Sequence, residues 1–318
     1  MKKYLIFAFK VFVSVFLVYF IFTKISFGDI LGVLKEANLG YFFAAVFLAL
    51  LALYINTFKW KLWLEYFSIH ENVYPLFILN LASVFYSIFL PGGVLAGDAV
   101  RVYKSFDLHE EKKKIATSIF LDRAIGLSVS VFVGFTGLIL TDSAVRDYGF
   151  VFNIYLLFFV GALFFLGFLI WFYKNYRVVF LSSFYAVCSH VLYAFLVYIL
   201  SLSIGLEISF FDILWPLALA NFILVVPVSF FGLGVREVSF IYILGMIGIT
   251  AVSATSLSLL IFFSTLIIGF IGGAVEFYFW AKKKMWLAAS SDLENGIIKK
   301  SSALSGEKIS MNKESQKE

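Results

Sequence analysis

Pro91-Gly92-Gly93-Val94-Leu95-Ala96-Gly97-Asp98-Ala99-Val100-Arg101 follows directly on an apolar run and puts three glycines, an acid and a base where hydrocarbon is expected. A looser copy, Pro227-Val228-Ser229-Phe230-Phe231-Gly232-Leu233-Gly234-Val235-Arg236-Glu237, begins 136 residues later. Each opens with proline, breaks at glycines and ends in opposed charges. In a bilayer, irregular polar backbone survives only where protein or water surrounds it. Two such breaks in corresponding halves of a chain point to a transport pathway.

The surrounding composition makes the bilayer the relevant solvent. Of 318 residues, 62% are hydrophobic, 20% aromatic and only 14% charged. That balance excludes a soluble domain of this length and implies transmembrane helices. With four prolines and 22 glycines, the breaks read as placed features. One cysteine, Cys188, excludes an intrachain disulfide and a cysteine-based metal cluster. Three widely spaced histidines, His70, His109 and His190, make a His-rich metal site unexpected. The reading requires no metal and no cofactor. The formal charge of +5 comes largely from short loops, where it sets orientation rather than nucleic-acid binding. The start, Met1-Lys2-Lys3 followed by apolar residues, reads as an uncleaved first helix, because no small-residue cleavage site follows.

Apolar segments fall near 4–22, 40–58, 75–91, 115–140, 149–173, 181–204, 213–231, 238–253 and 255–281. A spanning helix needs about 20 residues. The runs at 75–91, 213–231 and 238–253 are short or glycine-bounded. Basic residues choose among the arrangements. Lys2, Lys3, Lys59, Lys61, Arg101, Lys104, Lys112, Lys113 and Lys114 share the cytoplasmic side only if 75–98 dips in and returns. Lys174, Arg177 and Lys282-Lys283-Lys284 join them if 213–253 enters and leaves from the outer face; Lys24, Lys35 and Arg146 are exceptions. The expected fold is therefore an all-α integral membrane protein: about six spanning helices plus two re-entrant hairpins, in inverted repeats of about 1–140 and 149–281. Residues 1–285 form the membrane domain. Residues 286–318, polar and Ser/Lys/Glu-rich, read as a disordered cytoplasmic tail. The expected location is the cytoplasmic (inner) membrane, with both termini inside.

The candidate site residues are few. Asp98 reads as an N-cap, with Arg101 three residues on sharing its helical face. A helix start there favours phosphate; the plain alternative is a salt bridge closing a turn. Arg236 can grip a phosphate bidentately. Glu237 is available to neutralise Arg236 or Arg101, although adjacent helix positions diverge. Asp122 and Arg123 fall about 10 Å into a helix starting near Ile115, at 1.5 Å per residue. Charges that deep face the protein interior or a water-filled cavity. Arg123 either serves an anionic headgroup, snorkels, or pairs with Asp98. The helix breaks are assigned to Pro91, Gly92, Gly93 and Gly97, and to Pro227, Gly232 and Gly234. Asn80 and Asn221 read as interhelical hydrogen-bond partners, and His190 as a packed polar residue.

Three segments, Pro91-Gly92-Gly93…Gly97-Asp98-Ala99-Val100-Arg101-Val102-Tyr103, Leu121-Asp122-Arg123-Ala124-Ile125-Gly126-Leu127 and Pro227-Val228-Ser229…Gly232-Leu233-Gly234-Val235-Arg236-Glu237, together resemble the transmembrane domain of the lysylphosphatidylglycerol synthase/flippase family, including its stand-alone flippase-like members. The resemblance covers nearly all of 1–285. Ala96 and Phe231 depart from it, standing where glycine is expected. It implies movement of phospholipids or polyprenyl-linked lipids between leaflets. The soluble aminoacyltransferase domain of the larger family members has no counterpart here, so no enzyme activity is expected. The alternatives are a secondary transporter of a small anionic solute, a membrane-embedded lipid-modifying transferase, and a passive partner for an envelope enzyme. Membrane lipids are the expected partners, with a homodimer or an envelope-biosynthesis partner left open.

Overall fold

The computed structural model describes residues 26–90, 92–106, 111–141, 175–225 and 234–279, with isolated positions elsewhere. The chain divides after Gly273 into two units, and the second is described only near its start. The expected spans at 4–22 and 149–173 therefore lie outside the described residues apart from isolated positions, as do Pro91, Pro227, Gly232 and the tail at 286–318.

The described helices are α1 (Phe27–Glu36), α2 (Leu39–Tyr66), α3 (Val73–Phe89), α4 (Val94–Phe106), α5 (Lys112–Leu140), α6 (Tyr176–Ser203), α7 (Phe210–Val225), α8 (Val235–Gly245) and α9 (Ala251–Phe279). Four of them, α2, α5, α6 and α9, are 28 or 29 residues long and apolar enough to cross a membrane. At 1.5 Å per residue each reaches about 40 Å, more than the hydrocarbon core. They carry exposed Phe43, Phe47, Phe120, Phe132, Phe180 and Phe270, while their Thr57, Ser118, Ser182, Ser256 and Ser258 are buried. Apolar outside and polar inside is the pattern that lipid as solvent demands. The protein is a multi-pass, all-α membrane protein.

The order long, short, short, long runs through α2–α5 and repeats in α6–α9. α2 lies antiparallel to α6: Asn38 N–H, before α2, donates to Ser203 O at the end of α6, while Trp63 Nε1 near the other end donates to Ser182 Oγ at 2.9 Å. The two short pairs then approach from opposite ends of this central pair. Trp60 and Leu64 of α2 share one cluster with Leu76 of α3, Val102 of α4, and Ile115 and Ile119 of α5. The mouth of the α3–α4 hairpin thus lies where α2 ends and α5 begins. Ala45, near the start of α2, shares another cluster with Leu200 of α6, Leu214 of α7, Phe240 and Leu244 of α8, and Ala254 of α9. There the α7–α8 pair has its mouth. The two short pairs thus meet the central pair at its opposite ends.

The swap of partners between halves is also symmetric. At Gly137 of α5 a Cβ would meet Leu214, Phe211 and Trp215 of α7; at Gly269 and Gly272 of α9 it would meet Ile88 and the Leu81 backbone of α3. Each half's last helix thus packs at a glycine against the other half's first short helix.

The hairpin turn is made by Gly92 and Gly93, at φ 136° and 58°, and α8 is preceded by Gly234 at φ 80°. These are left-handed conformations that glycine adopts freely. A Cβ on Gly93 would meet nothing, so only backbone strain opposes it. Gly93→Ala is expected to cost about 1–2 kcal/mol and Gly93→Asn less. Detergent melting curves of the two variants check this; equal losses would place the cost somewhere other than φ.

Candidate functional site

α4 starts at Val94, four residues before Asp98, so Asp98 lies within the helix and is not its cap. Its carboxylate accepts from Arg123 Nε at 2.7 Å and Nη2 at 2.8 Å, and from Arg101 Nη1 at 3.2 Å. The fork-to-carboxylate geometry with Arg123 is the strong form of such a pair. Gly97 is no break either. It lets α4 press against α3, since a Cβ there would strike Ser87 Oγ and the Ser83 carbonyl oxygen.

A residue outside the sequence-derived set completes this group. Lys59 of α2 is 4% exposed, and its Nζ lies 3.3 Å from Asp122 Oδ1. Asp122, on α5, also stands 3.7 Å from Arg101 Nη2. The Trp60 ring lies under the Arg101 guanidinium, 4.1 Å from its centroid, and Trp60 Nε1 donates to Ser118 Oγ. Three helices, α2, α4 and α5, thus supply three cations, Lys59, Arg101 and Arg123, and two carboxylates, Asp98 and Asp122. One positive charge is in excess. Arg101, 4% exposed, leaves Nε and Nη2 without hydrogen bonds, and Asp122 Oδ1 likewise has only the Lys59 ion pair. Arg123 differs: its side chain is 43% exposed, so one face of the cluster opens beside α4 and α5.

The second group sits at the start of α8. Arg236 Nη2 lies 3.0 Å from Glu237 Oε1, and Arg236 Nε donates to Ser258 Oγ of α9 at 3.1 Å. Ser258 Oγ in turn donates to Glu237 Oε1, and the other Glu237 oxygen accepts from Gly234 N–H at 2.7 Å. Phe262 lies under the Arg236 guanidinium. The plan matches the first group: an arginine on the hairpin's return helix, stacked on an aromatic ring and tied to the following long helix. Here, though, one acid faces one base.

A scan against family models matches residues 7–180 and 167–273 to "Lysylphosphatidylglycerol synthase TM region". The chain belongs to this family. The matched residues hold all seven charges of the two groups. No curated protein matches the chain. Family membership makes the chain an integral membrane protein of a lipid-related family, with only the membrane region represented in the match.

Several expectations change on this frame. Lys59 is not a loop marker after the second helix; α2 continues to Tyr66, and Lys61 pairs outside with Glu65. α5 begins at Lys112 rather than Ile115, which puts Asp122 deeper, about 15 Å along. The first hairpin's return leg runs to Phe106, well past residue 98. The neighbours Arg236 and Glu237 do pair, because a guanidinium can reach round the helix to the adjacent carboxylate. Asn80 donates to Thr57, and Asn221 to Ser130, each bridging helices as expected. The structure brings Asp98, Arg101, Asp122 and Arg123 together, and Arg236 with Glu237. Among the described residues no ion pair joins the two groups; each is paired within its own half. Nor, among those residues, is there a group of three His, Cys, Asp or Glu placed to hold a metal ion.

Proposed function

We propose that this protein moves a phospholipid or polyprenyl-linked lipid between the leaflets of the cytoplasmic membrane. The α3–α4 and α7–α8 hairpins are re-entrant from opposite faces. The headgroup engages Asp98, Arg101, Asp122 and Arg123 on one side of the path and Arg236 and Glu237 on the other, while its chains stay in the bilayer. The observation that carries this reading is the buried cluster with one uncompensated cation and an under-bonded arginine. Buried charges in a membrane protein mark substrate paths, and a phosphodiester would supply both the missing charge and the missing acceptors. The family's name, with its lysylphosphatidylglycerol, supports a lipid as that phosphodiester. Lys61, Lys104, Lys112–Lys114 and Arg177 gather where α2 ends and α5 and α6 begin, which supports a reading with that side, and both termini, in the cytoplasm. No enzymatic step is assigned to the chain.

Arg101→Ala leaves two cations facing two carboxylates, so the fold should tolerate it. In proteoliposomes with a fluorescent phospholipid and an impermeant quencher, Arg101→Ala and Arg236→Gln are each expected to slow exchange at least tenfold. That corresponds to losing one charged hydrogen bond of about 1.5–3 kcal/mol. Wild-type exchange in both variants would remove these arginines from the path. Uptake of a small anion with no lipid exchange would favour the solute transporter instead.

A further inference from the structure

The carboxylates of the two charged groups are fully occupied. Asp98 Oδ2 accepts from Arg123 Nε, and its Oδ1 from Arg123 Nη2 and Arg101 Nη1. Asp122 Oδ1 faces Lys59 Nζ at 3.3 Å, and its Oδ2 faces Arg101 Nη2 at 3.7 Å. Glu237 Oε1 accepts from Arg236 and Ser258, and its Oε2 from Gly234 N–H. Every oxygen of these acids already has a cation or a donor, so none is left for an arriving ammonium. The unused capacity has the opposite sign. Arg101, 4% exposed, holds Nε and Nη2 without hydrogen bonds. Among the described residues its group sets three cations against two acids. What it lacks is one negative charge with several acceptor oxygens.

The way in also has a direction. Lys59, Arg101, Asp98 and Asp122 are buried, whereas the Arg123 side chain is 43% exposed. On α5, Phe120 is exposed one turn before Arg123, and so is Tyr103 on α4. Large rings turned outward on a spanning helix are what hydrocarbon covers. Arg123 therefore opens on the lipid flank, about 17 Å along α5 at 1.5 Å per residue. Bare hydrocarbon is a costly neighbour for a guanidinium at that depth. A headgroup drawn in beside α4 and α5 would cover it.

We propose that the site selects lipids whose headgroup is a phosphodiester monoanion without an amine, taken sideways from the bilayer at Arg123. The inference rests on the lipid-moving reading above and names the charge class of the cargo. A bound phosphodiester accepts from Arg101 Nε and Nη2 and from Arg123, and it brings the cluster to equal positive and negative charge. An ethanolamine or lysyl headgroup restores the surplus through its ammonium. That ammonium finds no open carboxylate and sits near Lys59, Arg101 and Arg123, where little water screens the repulsion. The preferred cargo therefore differs in charge from lysylphosphatidylglycerol, the lipid in the family's name. A water-soluble phosphodiester offers the same oxygens; the opening on the lipid flank favours the lipid as their source.

The test reconstitutes the full chain in phosphatidylcholine vesicles with an impermeant quencher. The probes are phosphatidylglycerol, phosphatidylethanolamine and lysylphosphatidylglycerol, each labelled on an acyl chain so that the headgroup is unaltered. Wild-type protein is expected to exchange phosphatidylglycerol about tenfold faster, or more, than either amine-bearing lipid, since an uncompensated buried charge is costly. Arg101→Gln and Arg123→Gln each remove the surplus charge and are expected to abolish that preference. Arg123 is partly exposed, so its variant is the one the fold tolerates more readily. Soluble glycerophosphoglycerol, added at the concentration of the labelled lipid, is expected to leave exchange unchanged. Amine-bearing lipids exchanged as fast as phosphatidylglycerol by wild type overturn the selectivity while lipid movement stands. An undiminished preference in both variants overturns its assignment to the charge surplus. Exchange of none of the three lipids overturns both readings. Inhibition by glycerophosphoglycerol as strong as that by unlabelled phosphatidylglycerol overturns the lipid as source and favours a soluble anion.

Discussion

Asp122→Ala is expected to be the most damaging single substitution in the protein. It removes one of two carboxylates from a buried group of three cations, leaving Lys59 and Arg101 to share what remains of Asp98 with Arg123. Breaking a buried ion pair from one side costs about 3–5 kcal/mol, because the surviving charge stays desolvated. That is a large share of the few kcal/mol that hold most proteins folded. Neither cation has an escape: Lys59 and Arg101 are both 4% exposed, so neither side chain reaches a headgroup layer. The expected result is low yield and a strongly lowered melting temperature. The cause is tested by removing the orphan as well. Lys59→Met with Asp122→Leu replaces a buried pair by apolar groups of similar reach, an exchange that is often neutral, and the double variant is expected to recover most of the lost stability. If Asp122→Ala melts like wild type, or if the double variant is no better than the single, the cluster is not the structural unit described here.

The same arithmetic separates stability from transport. Removing any one of the three cations balances the cluster, and Arg101 is the one with two nitrogens that make no hydrogen bond. A group kept for folding alone would not retain a surplus charge, since leaving buried polar atoms unsatisfied costs about 1–3 kcal/mol each. Arg101→Ala is therefore expected to spare the fold and impair exchange, whereas Asp122→Ala impairs both. The contrast depends on measuring the two variants in the same detergent.

Three of the glycine positions were legible because each has a local cause. Gly92, Gly93 and Gly234 hold backbone conformations that other residues resist, and such positions announce themselves next to an apolar run. The short–short pairing between long helices was legible for the same reason, helped by the basic residues at one set of ends. Lys59 was not legible. Lys59 and Lys61 both read as basic markers of the cytoplasmic side after the second helix, and only Lys61, paired with Glu65, is left partly exposed. What buries Lys59 is Asp122, 63 residues away, and no local pattern encodes that partnership. Asp98 was misread as a cap because Gly97 was taken for a conformational glycine. Gly97 is small for the sake of α3, a tertiary reason with no signature in its own helix. Ser258 likewise looked like any serine in an apolar helix until α9 was seen to place it between Arg236 and Glu237.

Gly97→Val is the second substitution expected to have a large effect, through contact rather than charge. At Gly97 the backbone of α4 lies directly on α3, against Ser83 and Ser87, and one of the clashing atoms is a backbone carbonyl oxygen. A side-chain hydroxyl can rotate away; the carbonyl moves only with its helix. Overpacking of this kind typically costs about 1–3 kcal/mol and more when backbone must shift. The shift would also carry Asp98 and Arg101, one and four residues on, away from Asp122 and Arg123. Gly97→Val should therefore combine a lowered melting temperature with loss of lipid exchange, and Gly97→Ala should show the same pair of effects more weakly. Gly272→Val on α9 makes the useful comparison. Its Cβ would strike the Leu81 backbone on the other side of the same helix, yet Gly272 has no charged neighbour in the cluster. Melting should fall for both positions, while residual exchange per folded molecule should fall further for Gly97. Were the two to lose exchange only in proportion to folded protein, α4 would be a strut for the bundle and its charges would need another explanation.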